Sequence, residues 1–490
     1  MANSSEFHFR VIVVGAGVSG LTASHCLRKA GIDHVVLEKR DDVAPPEGAS
    51  ISIYPQMVRV LHQIGCLDPL LKISFPHKLA HIRRPDGRLA GSNDLFQRFQ
   101  KNHGPDLLPM SRRDFLHVLY EGLPDKSVIR TGLKITELNE TSTGVEVMLN
   151  DGTVEKGDIV LGCDGVHSVV RRLMWEQMAK IKPSLLSENR EDAAFKIEWK
   201  CLLGIGPAHP SLGETDLTYV HNPRFTFVLL AQPGCTYFII PFLLDNPIRP
   251  SDKVRYTEAD AEALAASIAD HPITESLKFS HLWKNRIRGS LVSLEEGVLD
   301  RWHHGRIVLA GDVVHKATPN IALGGNTAME DVVSLTNHLH TMLKKAGGNK
   351  PDTAVLDAVF AQYQAERLER AKYVVTMSGL ASRIQAEQTL LHKIAGLLIP
   401  VLPIGPVASN LGEYIRAGPK LDFVKIVDFA SGRMSWKDEG EQARQTAMEE
   451  PRKQKKRFWG VIGMTAVLVM LLSATRYMTN RIFGTKAHLD

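Results

Sequence analysis

Three glycine-bearing stretches hold the residues of this chain whose types and spacing fit one chemistry, the holding of a dinucleotide. The first is Gly15-Ala16-Gly17-Val18-Ser19-Gly20, with Glu38 closing the next apolar run. In such a pattern Gly15 permits a tight turn, Gly17 lets a pyrophosphate reach the backbone, and Gly20 allows close packing of helix on strand. A helix starting here offers free N–H groups and a positive dipole end to phosphates. Glu38 stands 18 residues beyond Gly20. A carboxylate there accepts hydrogen bonds from both ribose hydroxyls and repels a 2′-phosphate, so the tightly held ligand is FAD or NAD rather than NADP. The other reading is a glycine-rich turn with no ligand, and the flanking strand, helix and acid count against it.

The second stretch is Gly162-Cys163-Asp164-Gly165-Val166-His167-Ser168, followed by Arg171 and Arg172. A strand feeds it and a helix follows, so Asp164 can form a turn beside the first crevice; an isolated Asp-Gly pair is merely a common turn. The third is Gly311-Asp312, with Pro319-Asn320 and Gly324-Gly325-Asn326 before a helix. Asp312 suits a ribose or ribityl chain. A helix from about Asn326 points its N–H groups and dipole at an anion, which in a flavoenzyme is the N1–C2=O region of the reduced ring. Taken alone, this too is an ordinary loop with glycine breaks.

Together, in this order and at these separations, the three stretches resemble the para-hydroxybenzoate-hydroxylase type of single-component flavoprotein monooxygenase, from about residue 8 to about residue 380. The resemblance includes Arg112 in Ser111-Arg112-Arg113-Asp114-Phe115-Leu116, where that family has a flavin-contacting arginine ahead of a helix. A narrower resemblance joins residues 25–40 (HCLRKAGIDHVVLEKR), 48–65 (GASISIYPQMVRVLHQIG), 310–331 (AGDVVHKATPNIALGGNTAMED) and the apolar C-terminus. These are similar to the fungal branch that epoxidises prenyl chains in meroterpenoid and indole-diterpene pathways. Two departures touch the flavin-facing surface. Ser50-Ile51-Ser52 stands where relatives often have Ser-Ile-Gly, and Ala322-Leu323-Gly324-Gly325 where they often have Gly-Gln-Gly-Ala.

The resemblance implies FAD contacts at Gly15, Gly17, Gly20, Glu38, Gly48, Ser52, Arg112, Asp164, Asp312 and Gly325. It implies NADPH as a transient co-substrate, since only one complete dinucleotide fingerprint exists and the family gives NADPH no domain of its own. NADPH would reduce FAD, O₂ would add to give the C4a-hydroperoxide, and its distal oxygen would pass to an electron-rich alkene. Tyr219, in Asp216-Leu217-Thr218-Tyr219-Val220, falls where this branch has a catalytic tyrosine; a sheet tyrosine packing the cavity wall is the equal alternative. Three other functions stay open: an aromatic hydroxylase of the salicylate or hydroxybenzoate type, a flavin-dependent reductase of isoprenoid chains, and a non-catalytic prenyl-binding carrier. Intact Glu38, Asp164 and Asp312 count against the carrier.

The elements that must position these residues form an α/β fold. Arg10 to Val14, Val18 to Ala30 and His34 to Leu37 read as strand, helix and strand, with Leu21 and Leu27 inward and Gly31 ending the helix. Asn150-Asp151-Gly152 after the alternating Val145 to Leu149 signals a hairpin. Phe195 to Ser293 is rich in strand-like segments and predicts a separate sheet. Arg306 to Ala310 returns as a strand, and Asn326 to His340 and Asp352 to Met377 have helical pattern. The expected organisation is a Rossmann-like FAD-binding domain with an inserted mixed β-sheet substrate domain, C-terminal helices and a C-terminal transmembrane helix. Its boundaries are 8–182 for the first part of the FAD-binding domain, with a sheet insertion near 75–108. The substrate sheet is 183–300, the second FAD-binding part 301–345, a helical region 346–435, a charged linker 436–457 and the membrane helix 458–475.

Composition excludes other classes. With 44% hydrophobic and 23% charged residues, the 490-residue chain is globular rather than disordered. A net charge of +5, with no basic helix, gives no reason to expect a nucleic-acid partner. Five cysteines without a C-x-x-C pair argue against disulfides and cysteine-zinc sites. His77 and His81 have a spacing that could ligate metal on a helix, but no third ligand is nearby. The polar Met1 to Phe9 is no signal peptide.

Phe458 to Thr475 is an uncharged run of 18 residues, about 27 Å long as a helix and close to the thickness of the endoplasmic-reticulum bilayer. The basic Arg452 to Arg457 precedes it, and Trp459 and Tyr477 sit at its two ends. These features predict a single-pass anchor with the catalytic body cytosolic, and hence the membrane and a lipophilic small molecule as partners; O₂ is the partner that the family resemblance implies. Ile394 to Val407 is also apolar, but it is short and holds three prolines. It cannot span, and could dock on the body or touch the membrane face.

Overall fold

The apolar run Val11 to Val14 becomes the centre of a six-stranded sheet and is buried along its length. An unbroken apolar run is what a strand covered by helices on both faces requires. Arg10–Val14 pairs in parallel with Asp33–Leu37 on one side and with Ile159–Gly162 on the other. Ile307–Leu309 and His303–His304 extend the sheet past Ile159–Gly162, and Ile129–Arg130 closes the opposite edge. The computed structural model describes residues 8–439, apart from 47, 49, 142, 182–189 and 253.

The helix Val18–Lys29 stops where the sequence says it should. Gly31 adopts φ 69°, its N–H donates to the Arg28 carbonyl, and the Ile32 N–H reaches back to Leu27. That reciprocal pair is a Schellman stop, in which glycine escapes the Cβ penalty of left-handed backbone. It turns the chain directly into Asp33–Leu37.

An eight-stranded sheet stands beside this layer. Its order is His315–Lys316, Arg288–Val298, Phe195–Pro207, Cys235–Ile248, Phe225–Gln232, Leu217–Asn222, Ala80–Arg83 and Leu89–Asn93. Its last two strands come from the early 75–108 segment, and Ala80–Arg83 pairs in parallel with Leu217–Asn222. Side-chain alternation gives the sheet two apolar faces. Val220, Phe227, Phe238 and Ile240 pack in the same cluster as Ala261, Ala265, Phe279 and Leu282 of the helices Glu258–Ser267 and Phe279–Lys284. Leu217, Val228, Leu230, Tyr237 and Ile239 face the other way, toward Tyr54 and Leu323. Smaller sheets complete the body: Ile135–Glu140, Val145–Leu149 and Val154–Gly157, and the pair Ser50–Ile53 with Leu108–Ser111.

Several elements differ from their sequence reading. The helix after the third glycine stretch is Gly324–Ala346, so both glycines lie inside its first turn. The next, Thr353–Gln385, continues eight residues past Met377, because Val374, Ser378 and Ser382 keep a buried stripe going. His77 and His81 are not on a helix. His77 precedes Ala80–Arg83 and bonds through Nδ1 to the Thr215 carbonyl, whereas His81, on that strand, bonds to Ser92 and Asp216. Among the described residues no group of three His, Cys, Asp or Glu side chains could hold a metal.

Trp436, expected to open the charged linker, is buried. The Arg59 guanidinium lies 4.6 Å from its ring centroid, and the ring packs on His103. Residues through Trp436 form one compact unit. The Phe458 to Thr475 segment lies outside the described residues. Among those residues no single helix is long and apolar enough to cross a membrane.

Candidate active site

The three glycine stretches meet at the carboxyl ends of the parallel strands, where strand order reverses on either side of Arg10–Val14, the place where such sheets bind nucleotides. Gly15, at φ 98°, donates its N–H to the Leu37 carbonyl, and a Cβ on it would lie 2.7 Å from the Cys163 carbonyl oxygen. A Cβ on Gly311 would lie 2.3 Å from Ser19 Oγ. The first stretch therefore touches the second on one side and the third on the other. Gly17 caps the helix Val18–Lys29, with no atom within 4 Å of where its Cβ would be, so a pyrophosphate has room to approach. Gly20 is needed for a different contact from the one expected. Its Cβ would fall 1.8 Å from the Gly15 carbonyl oxygen and 3.6 Å from Val13 Cγ1, so it closes the helix on its own turn more than on the strand.

Glu38 is buried and braces the same turn. Its Oε2 accepts the Ala16 N–H at 2.8 Å and its Oε1 the Arg40 N–H at 3.0 Å. Each oxygen keeps a lone pair for a ribose hydroxyl. Asp164 works on its own loop: Oδ1 accepts the Ser168 hydroxyl at 2.5 Å, and Oδ2 the N–H groups of Val169 and Val170. Burial pushes its pKa up, and those hydrogen bonds oppose the shift. Arg171 ties the second stretch to the third, donating to the Val166 and Val313 carbonyls.

Asp312 differs from its neighbours. Gly311 and Val313 are buried, yet Asp312 is exposed, and no protein donor among the described residues bonds its carboxylate. Surrounding protein raises its pKa, opposed by the charges of His315 and Arg112. Arg112 opens the helix Arg112–Glu121, and a Cβ on Gly48 (φ 76°) would sit 3.3 Å from Arg112 Cδ. Ser52 lies buried in Ser50–Ile53. Its carbonyl accepts Asn326 Nδ2 at 2.9 Å, and Asn326 Oδ1 accepts the Tyr54 N–H at 2.8 Å. A Cβ on Gly325 would be 3.0 Å from Ile51 Cδ1. Asn326 thus fixes the flavin-side strand to the start of Gly324–Ala346.

Tyr219 projects from Leu217–Asn222 on the apolar face, its hydroxyl 3.5 Å from the Asn320 carbonyl. Burial raises its pKa, so the phenol keeps its proton at neutral pH and can donate. Open space at Gly17, the unpartnered Asp312 carboxylate and the spare lone pairs of Glu38 fit FAD.

The FAD binding domain family matches residues 8–378. The chain belongs to this family. The FAD-dependent monooxygenase DEP2 of Alternaria brassicicola is 40% identical over 434 residues, covering 88% of this chain and 82% of that one. The FAD-dependent monooxygenase penE of Penicillium thymicola is 32% identical, covering 94% and 95%. Among solved structures, Klebsiella pneumoniae HpxO complexed with FAD and uric acid superposes with a TM-score of 0.68 at 22% identity, covering 84% of this chain and 98% of that one. The likeness to HpxO concerns the fold. The protein is an FAD-dependent monooxygenase.

One part of the monooxygenase site escaped the sequence reading. Asp331 Oδ2 accepts the Gly311 N–H at 3.0 Å and bonds His315 Nε2 at 2.6 Å, while Oδ1 accepts Arg367 Nε at 2.9 Å. Arg367 and Arg370 also bridge to Glu330. Asp331, Glu330 and Arg367 are fully buried. Burial pushes the Asp331 carboxyl up, but the charges of His315 and Arg367 outweigh it and hold the group below its usual range. The network clamps the backbone next to Asp312. The available signal was the adjacent acidic pair Glu330-Asp331 set between Ala328-Met329 and Val332-Val333, which if buried needs counter-charges.

Proposed function

We propose that this monooxygenase epoxidises an alkene of a prenylated, lipophilic intermediate of fungal-type secondary metabolism, at a membrane surface. The observation that carries the reading is the apolar sheet face, Leu217, Val228, Leu230 and Ile239, set against Leu323 at the start of Gly324–Ala346, with the protonated Tyr219 hydroxyl at the junction. Bound FAD, reduced by NADPH, supplies oxygen activation. Of the two atoms of O₂, one enters the alkene and the other leaves as water, with two electrons from NADPH. An alkene brings no charge to be matched, and an apolar wall suits it. Tyr219 donates a hydrogen bond to the oxygen as it leaves or forms the epoxide. Phe458 to Thr475, behind the basic Arg452 to Arg457, anchors the chain in the endoplasmic-reticulum membrane with the body on the cytosolic side.

The test is NADPH oxidation and oxygen uptake with a farnesylated phenol and, separately, with salicylate. The prenylated compound stimulates both and gains one oxygen by mass. Salicylate hydroxylation without epoxide would replace this reading with an aromatic hydroxylase. Tyr219→Phe lowers epoxide formation about tenfold or more, a loss of roughly 1.4 kcal/mol or more in barrier reduction, and leaves flavin reduction unchanged. Product at the wild-type rate would make Tyr219 a wall residue only.

A further inference from the structure

The apolar segment Ile394 to Val407 lies within a bent pair: Leu390–Leu398, a turn at Ile399–Val401, and Gly405–Arg416, with 99° between its two arms. Its amphipathic order is inverted. The small Ala395 and Gly396 face the body, and a Cβ on Gly396 would sit 3.3 Å from His221 Nδ1. Leu390, Leu391, Ile394, Leu397, Leu398 and Val401 face outward, with Leu390 72% and Val401 73% exposed. Six large apolar side chains within twelve residues form a contiguous patch of the kind soluble surfaces avoid. Leu89, 51% exposed, continues it, since the turn packs on Leu89–Asn93 where Gly91 meets Pro400.

We propose that this bent pair lies in the plane of the membrane interface. It would be a second attachment that turns the Leu89–Asn93 edge of the substrate sheet, two strands from Tyr219, toward lipid. Neither arm is long enough to span alone and the two meet at 99°, whereas an outward apolar stripe on a short helix suits shallow insertion. The way the chain leaves the body favours lipid as occupant. Met434 packs on Gly412 of the second arm, Trp436 is the last buried residue among those described, and the uncharged run begins at Phe458 after residues 437–457. A chain anchored through that run tethers this face, by a linker of 21 residues, to a bilayer. Lys393 pairs with Glu387 and Arg88 with Asp86. The patch therefore carries little net charge and has no need of anionic lipid. The inference rests on the membrane-anchored reading above and adds a contact independent of the tail.

The test uses the full-length, FAD-loaded chain with Leu397→Cys carrying an environment-sensitive NBD fluorophore, in phosphatidylcholine vesicles. The identically treated unsubstituted chain serves as blank. The expected result is a blue shift and an about twofold or greater loss of emission with nitroxide-labelled acyl chains. Vesicle-bound protein whose label stays red-emitting and iodide-quenched overturns the inference and leaves the tail anchor standing. A blue-shifted label untouched by lipid nitroxides means that protein, either this chain's own C-terminal run or a second copy, covers the patch; that too overturns it. Failure of the full chain to associate with vesicles removes both readings.

Discussion

Glu38 and Asp312 are both acidic side chains placed for sugar hydroxyls, but their surroundings make them unequal. Glu38 already holds two backbone N–H groups, whereas the Asp312 carboxylate has no donor among the described residues. Asp312→Ala therefore removes ligand contacts alone. Glu38→Ala removes ligand contacts and also leaves the Ala16 and Arg40 amides unbonded. Hydrogen bonds to a charged group contribute about 1.5–3 kcal/mol, so Asp312→Ala weakens FAD retention roughly tenfold to a hundredfold at little cost to the apoprotein. Glu38→Ala lowers both FAD retention and apoprotein stability. Flavin absorbance after gel filtration and thermal unfolding without FAD separate the two effects. Full flavin occupancy in both variants would show that neither carboxylate holds the cofactor.

At the scale of elements, Gly324–Ala346 and Thr353–Gln385 are joined through Asp331, Glu330 and Arg367, and the same charges reach the Gly311 backbone. Removing one partner of a buried pair leaves the other charge uncompensated, which typically costs about 3–5 kcal/mol. Asp331→Ala is expected to lose stability of that size and to release FAD faster, although Asp331 lies behind the loop it holds. Asp331→Asn keeps one acceptor and recovers part of both. Urea unfolding with and without FAD is the measurement. A stability loss with an unchanged flavin off-rate would confine Asp331 to the core.

The whole molecule carries its own pH signature. His25, His77, His103 and His221 are each brought down to about 4 from 6.5, chiefly by burial. The fold keeps them neutral while the unfolded chain protonates them below 6.5. Their stabilisation is complete above that pH and declines as pH falls toward 4. Between these values these four imidazoles together take up about four protons on unfolding, each contributing a slope of about 1.4 kcal/mol per pH unit. Glu330 and Asp331, held low, add a further loss only at more acidic pH, below the ordinary carboxylate value. Urea midpoints at pH 7, 6 and 5 should fall ever more steeply; equal midpoints would show that these imidazoles titrate normally.

The tail gives the second whole-molecule prediction. Because the body is complete at Trp436, a chain truncated after Ala443 folds, holds FAD and stays in the supernatant. The full chain remains with membranes in carbonate at high pH. Release of the full chain by carbonate would remove the anchor.

Much of this protein was written locally. A βαβ opening is legible because its apolar run, its glycine turn and the Gly31 stop each act within a few residues through sterics and backbone hydrogen bonding. The same locality made Gly15, Gly17, Glu38 and Asp312 recognisable. Only tertiary structure could show that Gly20 clears the Gly15 carbonyl or that the Asp164 carboxylate is occupied by its own helix. It also set Asn326 against Ser52 and Tyr54, and Asp331 against Gly311, across sequence separations of 274, 272 and 20 residues. The 75–108 segment, expected as a sheet insertion, pairs in the structure with a sheet whose other strands begin at Phe195, whereas the outward face of Leu390–Leu398 emerges only once Gly396 docks on His221. Periodicity fixes which residues share a face. Which face meets which partner depends on packing between segments far apart in the chain, and no local pattern records that.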